Sequence, residues 1–225
     1  KLSKPSLQIF SSIAIHPESG QTYHGRIINV QKDINALEEI YQSDPKTVVA
    51  VGECGLDFLP SWAPNQEAKE VQKKLFQVQI ELSKKLNLPL LVHCRDDRSK
   101  NPNNTEAWDL CIKMTKDHFG IYHRYPGLPQ TTDYILHATN FLISFAGNLT
   151  YPQNEYLKEA VKIIPLDRIV IETDCPFLPP QSKRGQRNEP GFSLEVAQII
   201  AQIKNISPDE VGDQTTANTR KLFHL

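Results

Sequence analysis

Hydrophobic positions along the chain fall into two alternating patterns. Short runs rich in branched apolar residues span Leu7–Ile15, Thr47–Glu53, Leu88–His93, Phe119–His123, Asn140–Phe145 and Arg168–Asp174. They are apolar nearly throughout, as strands buried on both faces are. A longer amphipathic stretch follows each run. The clearest begins near Pro64, a residue suited to a first helical position, and ends near Asn87. Its Val71, Leu75, Val78 and Leu82 step by four, three and four, which predicts one apolar face. Further helical patterns cover 33–42, 105–117, 129–138, 152–163 and 192–204. Strand-then-helix units repeated in one direction predict an α/β fold with a parallel sheet and helical crossovers. The doubly wound sheet and the closed barrel both use such units, and periodicity does not separate them. No linker interrupts the series, so residues 1–225 read as a single domain.

Composition narrows the class. The 225 residues carry 25 Lys and Arg against 26 Asp and Glu, a net charge of −1. That balance argues against a polyanion binder working by bulk attraction and leaves local basic patches open. At 39% apolar, the chain is neither a disordered tail nor a disulfide-stapled mini-protein. No apolar window approaches a membrane span, and Lys1-Leu2-Ser3-Lys4-Pro5 lacks the apolar core of a signal peptide. Cys54, Cys94, Cys111 and Cys175 form no Cys-x-x-Cys pair, which fits a reducing compartment. The expectation is a cytoplasmic or nuclear protein without membrane partners.

The candidate chemistry lies where strands end. Four of the runs close on Glu53, His93, His123 and Asp174. In a parallel sheet strand ends lie side by side, so these four can share a pocket. Two imidazoles and two carboxylates suit zinc, manganese or a similar divalent ion. Each taken alone has a plainer reading, as a hydrogen-bonded core His or a helix cap. Two loops without large apolar side chains, Arg95–Glu106 and Pro179–Gly191, follow strands directly, where parallel folds build their sites. Cys54, Cys94 and Cys175 each follow a proposed ligand, and strand alternation turns them away from the pocket, as small apolar packers.

Three segments carry a resemblance: Gly52-Glu53-Cys54-Gly55-Leu56-Asp57-Phe58, Leu88-Pro89-Leu90-Leu91-Val92-His93-Cys94-Arg95-Asp96, and Ile171-Glu172-Thr173-Asp174-Cys175-Pro176-Phe177-Leu178. They resemble the TatD family of metal-dependent deoxyribonucleases. Arg184–Pro190 resembles its basic loop, Thr215–Phe223 its C-terminal helix, and Ile15-His16-Pro17 the end of its third strand. The resemblance implies a TIM (β/α)8 barrel of the metal-dependent hydrolase type. It implies hydrolysis of phosphodiesters in DNA, single strands or ends, often as a 3′-to-5′ exonuclease. By position, Glu53 would bridge two ions, His93 and His123 would hold one, and Asp174 the other while taking the proton of the attacking water. One or two divalent ions (Zn, Mg or Mn) are implied as cofactors.

The chain departs from the family in three places. Relatives usually open with a strand carrying a His-x-His pair, so the first one or two strand–helix units are expected to be missing from the N-terminus of this chain. A chain of 225 residues is also short against a barrel of about 250. The usual His-x-Phe-x-Gly reads His123-Arg124-Tyr125-Pro126-Gly127, and Lys183 stands where a His is common.

Around these ligands Arg95, Arg124, Arg184 and Arg187 are candidate phosphate binders, with solvated loop charges as the plainer reading. His16 could line the pocket or cap its turn, and Asp57 could orient a ligand or close the Gly55–Phe58 turn. Trp62 and Trp108 are expected more as packing than as base-stacking residues. Two alternatives stay open beside a DNase: a metal-dependent ester or amide hydrolase, for example of aminoacyl-tRNA, and a non-catalytic binding module.

Overall fold

The computed structural model describes residues 8–23 and 27–225. The early part of the first expected run, up to Leu7, and His24 lie outside the described residues. The strands are β1 (Ser11–Ile13), β2 (Val48–Asp57), β3 (Leu90–Arg95), β4 (Gly120–Tyr122), β5 (Leu142–Phe145) and β6 (Ile169–Ile171). The helices are α1 (Ile27–Ser43), α2 (Gln66–Leu86), α3 (Glu106–Thr115), α4 (Pro129–Ala138), α5 (Glu155–Ile163), α6 (Ser193–Lys204) and α7 (Pro208–Phe223). All pairings are parallel and the spatial order is β1 through β6 in sequence. A doubly wound sheet reverses its strand order partway across. The unbroken order here is that of a barrel wall, and it resolves the alternative that periodicity left open.

Local chemistry sets the element ends. Asn65 caps α2 by accepting the Ala68 N–H at 2.9 Å, an interaction worth about 1 kcal/mol. Pro64 therefore lies just before the cap rather than inside the helix. Asn87 ends α2 in a left-handed conformation, φ 52°. A capping box between Ser207 and Glu210 starts α7. Asn218 then ties α7 to the sheet by donating to the carbonyls of Leu166 (2.9 Å) and Ile169 (2.7 Å).

Between sheet and helices lies an aromatic core. Trp108 meets Tyr122 edge-on at 5.4 Å, and Tyr122 stacks on Phe141 at 4.5 Å. Trp108 is thus a packing residue. Inside the wall, a cavity of about 360 Å³ is lined by Glu53, His123, Ser144 and Glu172, together with Thr219 and Phe223 of α7. Another, of about 510 Å³, lies at the amino ends of β4 to β6 beside Phe119, Asn140 and Arg168. The side chains expected from sequence to hold a metal gather at the opposite, carboxyl end.

Candidate metal centre

Helix α2 supplies the scaffold on one side. Its buried Gln79 accepts the Ile15 N–H at 2.6 Å and donates to the Ile15 carbonyl at 3.0 Å. Two turns earlier, Gln72 does the same for Asp57, at 2.8 and 2.9 Å. Each amide side chain pairs fully with a backbone, which fixes the residue before His16 and the end of β2. Polar groups this deep are tolerated because both donor and acceptor are used.

Strand β2 does not stop at Glu53. It runs on to Asp57, and the register against β3 shifts between Gly52 and Cys54. Such a bulge re-aims the side chain at the extra residue, here Glu53. Gly52 and Gly55 allow β3 to come this close: a β-carbon on Gly55 would sit 2.0 Å from the His93 carbonyl oxygen, and one on Gly52 2.3 Å from Leu91 Cβ. His93 lies inside β3, and the His123 N–H prolongs the ladder beyond β4 by donating to Val92 at 2.9 Å. Asp174 and Leu178 after β6 (φ 57° and 51°) and Arg124 after β4 (47°) are in the left-handed conformation. All three line the same cavity, of about 400 Å³, as His16, Glu53 and His93. Left-handed residues other than glycine persist only where the surroundings hold them, and they concentrate at functional sites.

Glu53 sits at the junction of two groups. Its Oε1 is 3.3 Å from His93 Nδ1 and 3.0 Å from His123 Nε2, and its Oε2 is 3.7 Å from His16 Nε2. On the far side, His123 Nε2 is 3.7 Å from Asp174 Oδ1. His16 meets the His93 ring edge-on at 4.8 Å. His16, Glu53 and His93 bring one donor atom each within 4.8 Å of one another, the spacing of a shared ion.

The imidazoles are also held from behind. His93 Nε2 faces Asp57 Oδ2 at 3.0 Å, and His123 Nδ1 faces Glu172 Oε2 at 2.8 Å. Glu172 in turn accepts from the Arg124 N–H at 2.7 Å and from the Ser144 hydroxyl. A carboxylate on one ring nitrogen leaves the other, facing Glu53, free as a ligand. The donor set and these outer partners fit a divalent cation.

Electrostatics follow from this crowding. Burial alone would raise the Glu53 pKa, but the His93 hydrogen bond and the His123 and His93 charges lower it to about 2. Burial opposes a charged His123, yet its contacts with Asp174 and Glu172 and the nearby carboxylates raise its pKa to about 10. His93 is shifted upward by Asp57 and Glu53 against the same burial penalty. His16 is shifted down by burial and by His93. Without an ion, protonation of His123 and His93 places positive charge beside the carboxylates.

The residues expected from sequence divide here. Glu53, His93, His123, Asp174, His16, Arg95 and Arg124 line one cavity. Arg95 lies 2.8 Å from Asp57, and Arg124 Nε 3.8 Å from Asp174. Arg184 and Arg187 are not among the described residues lining it. Arg184 instead packs its guanidinium over the Tyr151 ring at 4.4 Å, and Arg187 is exposed. Trp62 is half-buried away from the pocket. Cys54 and Cys94 are buried as expected of packers, but Cys175 is exposed. The left-handed Asp174 turns the chain outward there, and strand alternation no longer applies. Sequence reasoning missed Gln72, Gln79, Ser144 and Glu172. Glu172 alone left a local signal, being two positions before Asp174 and so on the same side of an extended chain.

A sequential parallel barrel wall that gathers imidazoles and carboxylates at the carboxyl ends of its strands is the framework of a metal-dependent hydrolase. The chain belongs to the TatD family: the family model for TatD-related DNases matches residues 1–224. It is 35% identical over 222 residues to an uncharacterized metal-dependent hydrolase (YabD) of Bacillus subtilis, covering 96% of this chain and 78% of that protein. It is 30% identical over 221 residues to the 3′-5′ ssDNA/RNA exonuclease TatD of Erwinia billingiae, covering 96% and 78%. The crystal structure of the TatD homologue YjjV from Escherichia coli matches with a TM-score of 0.77 at 23% identity, over 96% of this chain and 77% of that one. The fold is the TIM barrel of these hydrolases, with six of its parallel strands among the described residues. No helix among the described residues is long and apolar enough to cross a membrane.

Proposed function

We propose that this metal-dependent hydrolase is a deoxyribonuclease that cleaves phosphodiester bonds in single strands or at DNA ends. The observation that carries the reading is the company the ligand cluster keeps. Arg95 and Arg124 line the same cavity as Glu53, His93, His123 and Asp174, so guanidinium groups flank a cation site. Phosphodiesters are anions at every working pH, and arginine meets their oxygens with paired hydrogen bonds. The names of relatives such as the Erwinia exonuclease support the same substrate class.

Glu53, His93 and His123 would hold one divalent ion, with His16 beside them, and Asp174 would serve a second position across Glu53. Bound there, zinc, manganese or magnesium supplies a water acidified enough to act as nucleophile near neutral pH. The protein's own part is positional. With the ion bound, Asp57 and Glu172 would keep the His93 and His123 rings in the tautomers that present a lone pair toward it. Asp174 is the carboxylate available to accept the proton of the attacking water, beside Arg124 at 3.8 Å. Arg95, braced by Asp57 at 2.8 Å, would orient the phosphate.

The test is release of nucleotides from single-stranded DNA by protein stripped with EDTA and then reloaded with Mn2+, Zn2+ or Mg2+. Release that needs the added ion supports the reading. Release without metal, or hydrolysis of an aminoacyl-tRNA ester alone, overturns it.

A further inference from the structure

Phe177 is the one large exposed hydrophobic residue, among those described, that lines the cavity of the ligand cluster. Its exposure is 68%. Most other walls of that cavity are ionic or imidazole groups. An apolar ring left in water beside charged side chains gains nothing for the fold. It is nevertheless held in a rigid setting. The Phe177 N–H donates to the Asp174 carbonyl at 2.8 Å, which closes a turn immediately after a candidate ligand. Its own carbonyl accepts from the Asn188 side chain at 2.6 Å, and the same amide reaches the Thr173 carbonyl at 2.6 Å. The Asn188 N–H donates to Pro176 at 3.1 Å. Asn188 is itself 2% exposed, so a buried side chain belonging to the basic loop fastens the turn that carries the exposed ring.

From this geometry we propose that Phe177 is the base-stacking platform of the site. The base of the nucleotide whose phosphodiester meets the cluster lies against its ring, while Arg95 and Arg124 take the phosphate. A phenyl face accepts any planar base and reads no hydrogen-bonding edge, so recognition tolerates sequence but requires an unpaired base. The substrate class is therefore single-stranded or frayed nucleic acid ends rather than intact duplex. The platform rests on the phosphodiesterase reading of the same site.

Two measurements on metal-loaded protein test it. The first compares KM for oligonucleotides ending in thymidine with those ending in 5,6-dihydrothymidine, whose puckered ring stacks poorly. Stacking on an aromatic side chain changes affinity by about 5- to 150-fold. The wild type is expected to prefer the planar base by at least the lower figure. Phe177→Ala and Phe177→Leu should lose that preference, the leucine keeping apolar area without a π face, and Phe177→Trp should retain it. The second measurement follows 2-aminopurine fluorescence at the end of an oligonucleotide whose scissile bond is a phosphorothioate. Quenching on binding to the wild type and to Phe177→Trp, but not to Phe177→Ala, supports stacking whatever the cleavage rate. Equal preference in wild type and Phe177→Ala, or equal quenching, overturns the platform while leaving the phosphodiesterase intact. Absence of both cleavage and binding by the wild type overturns the two together.

Discussion

Replacing Glu172 by Gln removes one charge and no volume, and the surrounding hydrogen bonds dictate how the site responds. One Glu172 oxygen accepts from the Arg124 N–H at 2.7 Å, and the other faces His123 Nδ1 at 2.8 Å. A backbone N–H can only donate, so the glutamine oxygen turns toward Arg124 and its NH2 toward His123. Nδ1 must then become an acceptor, which moves the imidazole proton to Nε2. That nitrogen is the one aimed at Glu53, 3.0 Å away, and the proposed metal site needs its lone pair. Turning the amide over sets its NH2 against the Arg124 N–H, a buried donor pair costing about 1–3 kcal/mol. Loss of such an outer partner weakens metal binding by about 10- to 100-fold, equivalent to about 1.4–2.7 kcal/mol. Chelator competition with Zn2+ on wild type and Glu172→Gln, both checked for native folding by near-UV circular dichroism, measures the change. Equal affinity in two folded proteins would refute the tautomer argument.

Protonation sets further expectations. Metal binding at the proposed site would displace the proton that His123 carries up to a pKa of about 10. Affinity should therefore rise about tenfold per pH unit between pH 6.5 and 8.5 for one proton released, and a flat profile in a chelator titration would contradict this. In metal-free protein, the raised His123 pKa adds stability that is full below its unfolded value of 6.5 and fades as pH rises through about 10. The lowered Glu53 pKa adds stability present above 4.5 and lost as pH falls through about 2. Urea unfolding across pH should show both losses. Gly55→Ala collides with the His93 carbonyl at a backbone φ of 142°. It should cost about 2–5 kcal/mol in urea unfolding, and a loss below about 1 kcal/mol would show that β2 and β3 can separate. Cys175 is exposed while Cys54, Cys94 and Cys111 are buried. A chromogenic disulfide should titrate one thiol quickly in the native protein and all four in urea; four fast thiols in native protein would contradict the packing.

The strands were legible because burial on both faces leaves near-continuous apolar runs, and each expected run overlaps an observed strand, although β2 and β3 run beyond Glu53 and His93. Their spatial order was not legible, since pairing is a non-local choice that periodicity does not encode. On α2 the expected stripe was displaced. Val71 and Val78 are only half-buried, while Gln72 and Gln79 are 1% exposed. A polarity pattern assigns glutamine to solvent, but these two answer backbone groups 15 and 64 residues away. The same limit hid Glu172, whose partners Ser144 and Arg124 come from other units of the barrel. Candidate ligands were visible because imidazoles and carboxylates at strand ends are costly without partners. In the basic loop charge marked Arg184 and Arg187, and polarity gave no sign that the neutral Asn188 is the side chain that fastens the pocket turn.

The central claim, that the Glu53 cluster holds the ion that cleaves phosphodiesters, is tested most directly by measuring bound metal and nucleotide release in the same samples. Mn2+ or Zn2+ is titrated into EDTA-stripped wild type and Glu53→Ala. Release proportional to occupancy in the wild type, with both quantities lost in Glu53→Ala, is the predicted result. Full release by protein without bound metal, or an unchanged equivalent of tightly bound ion in Glu53→Ala, would contradict it.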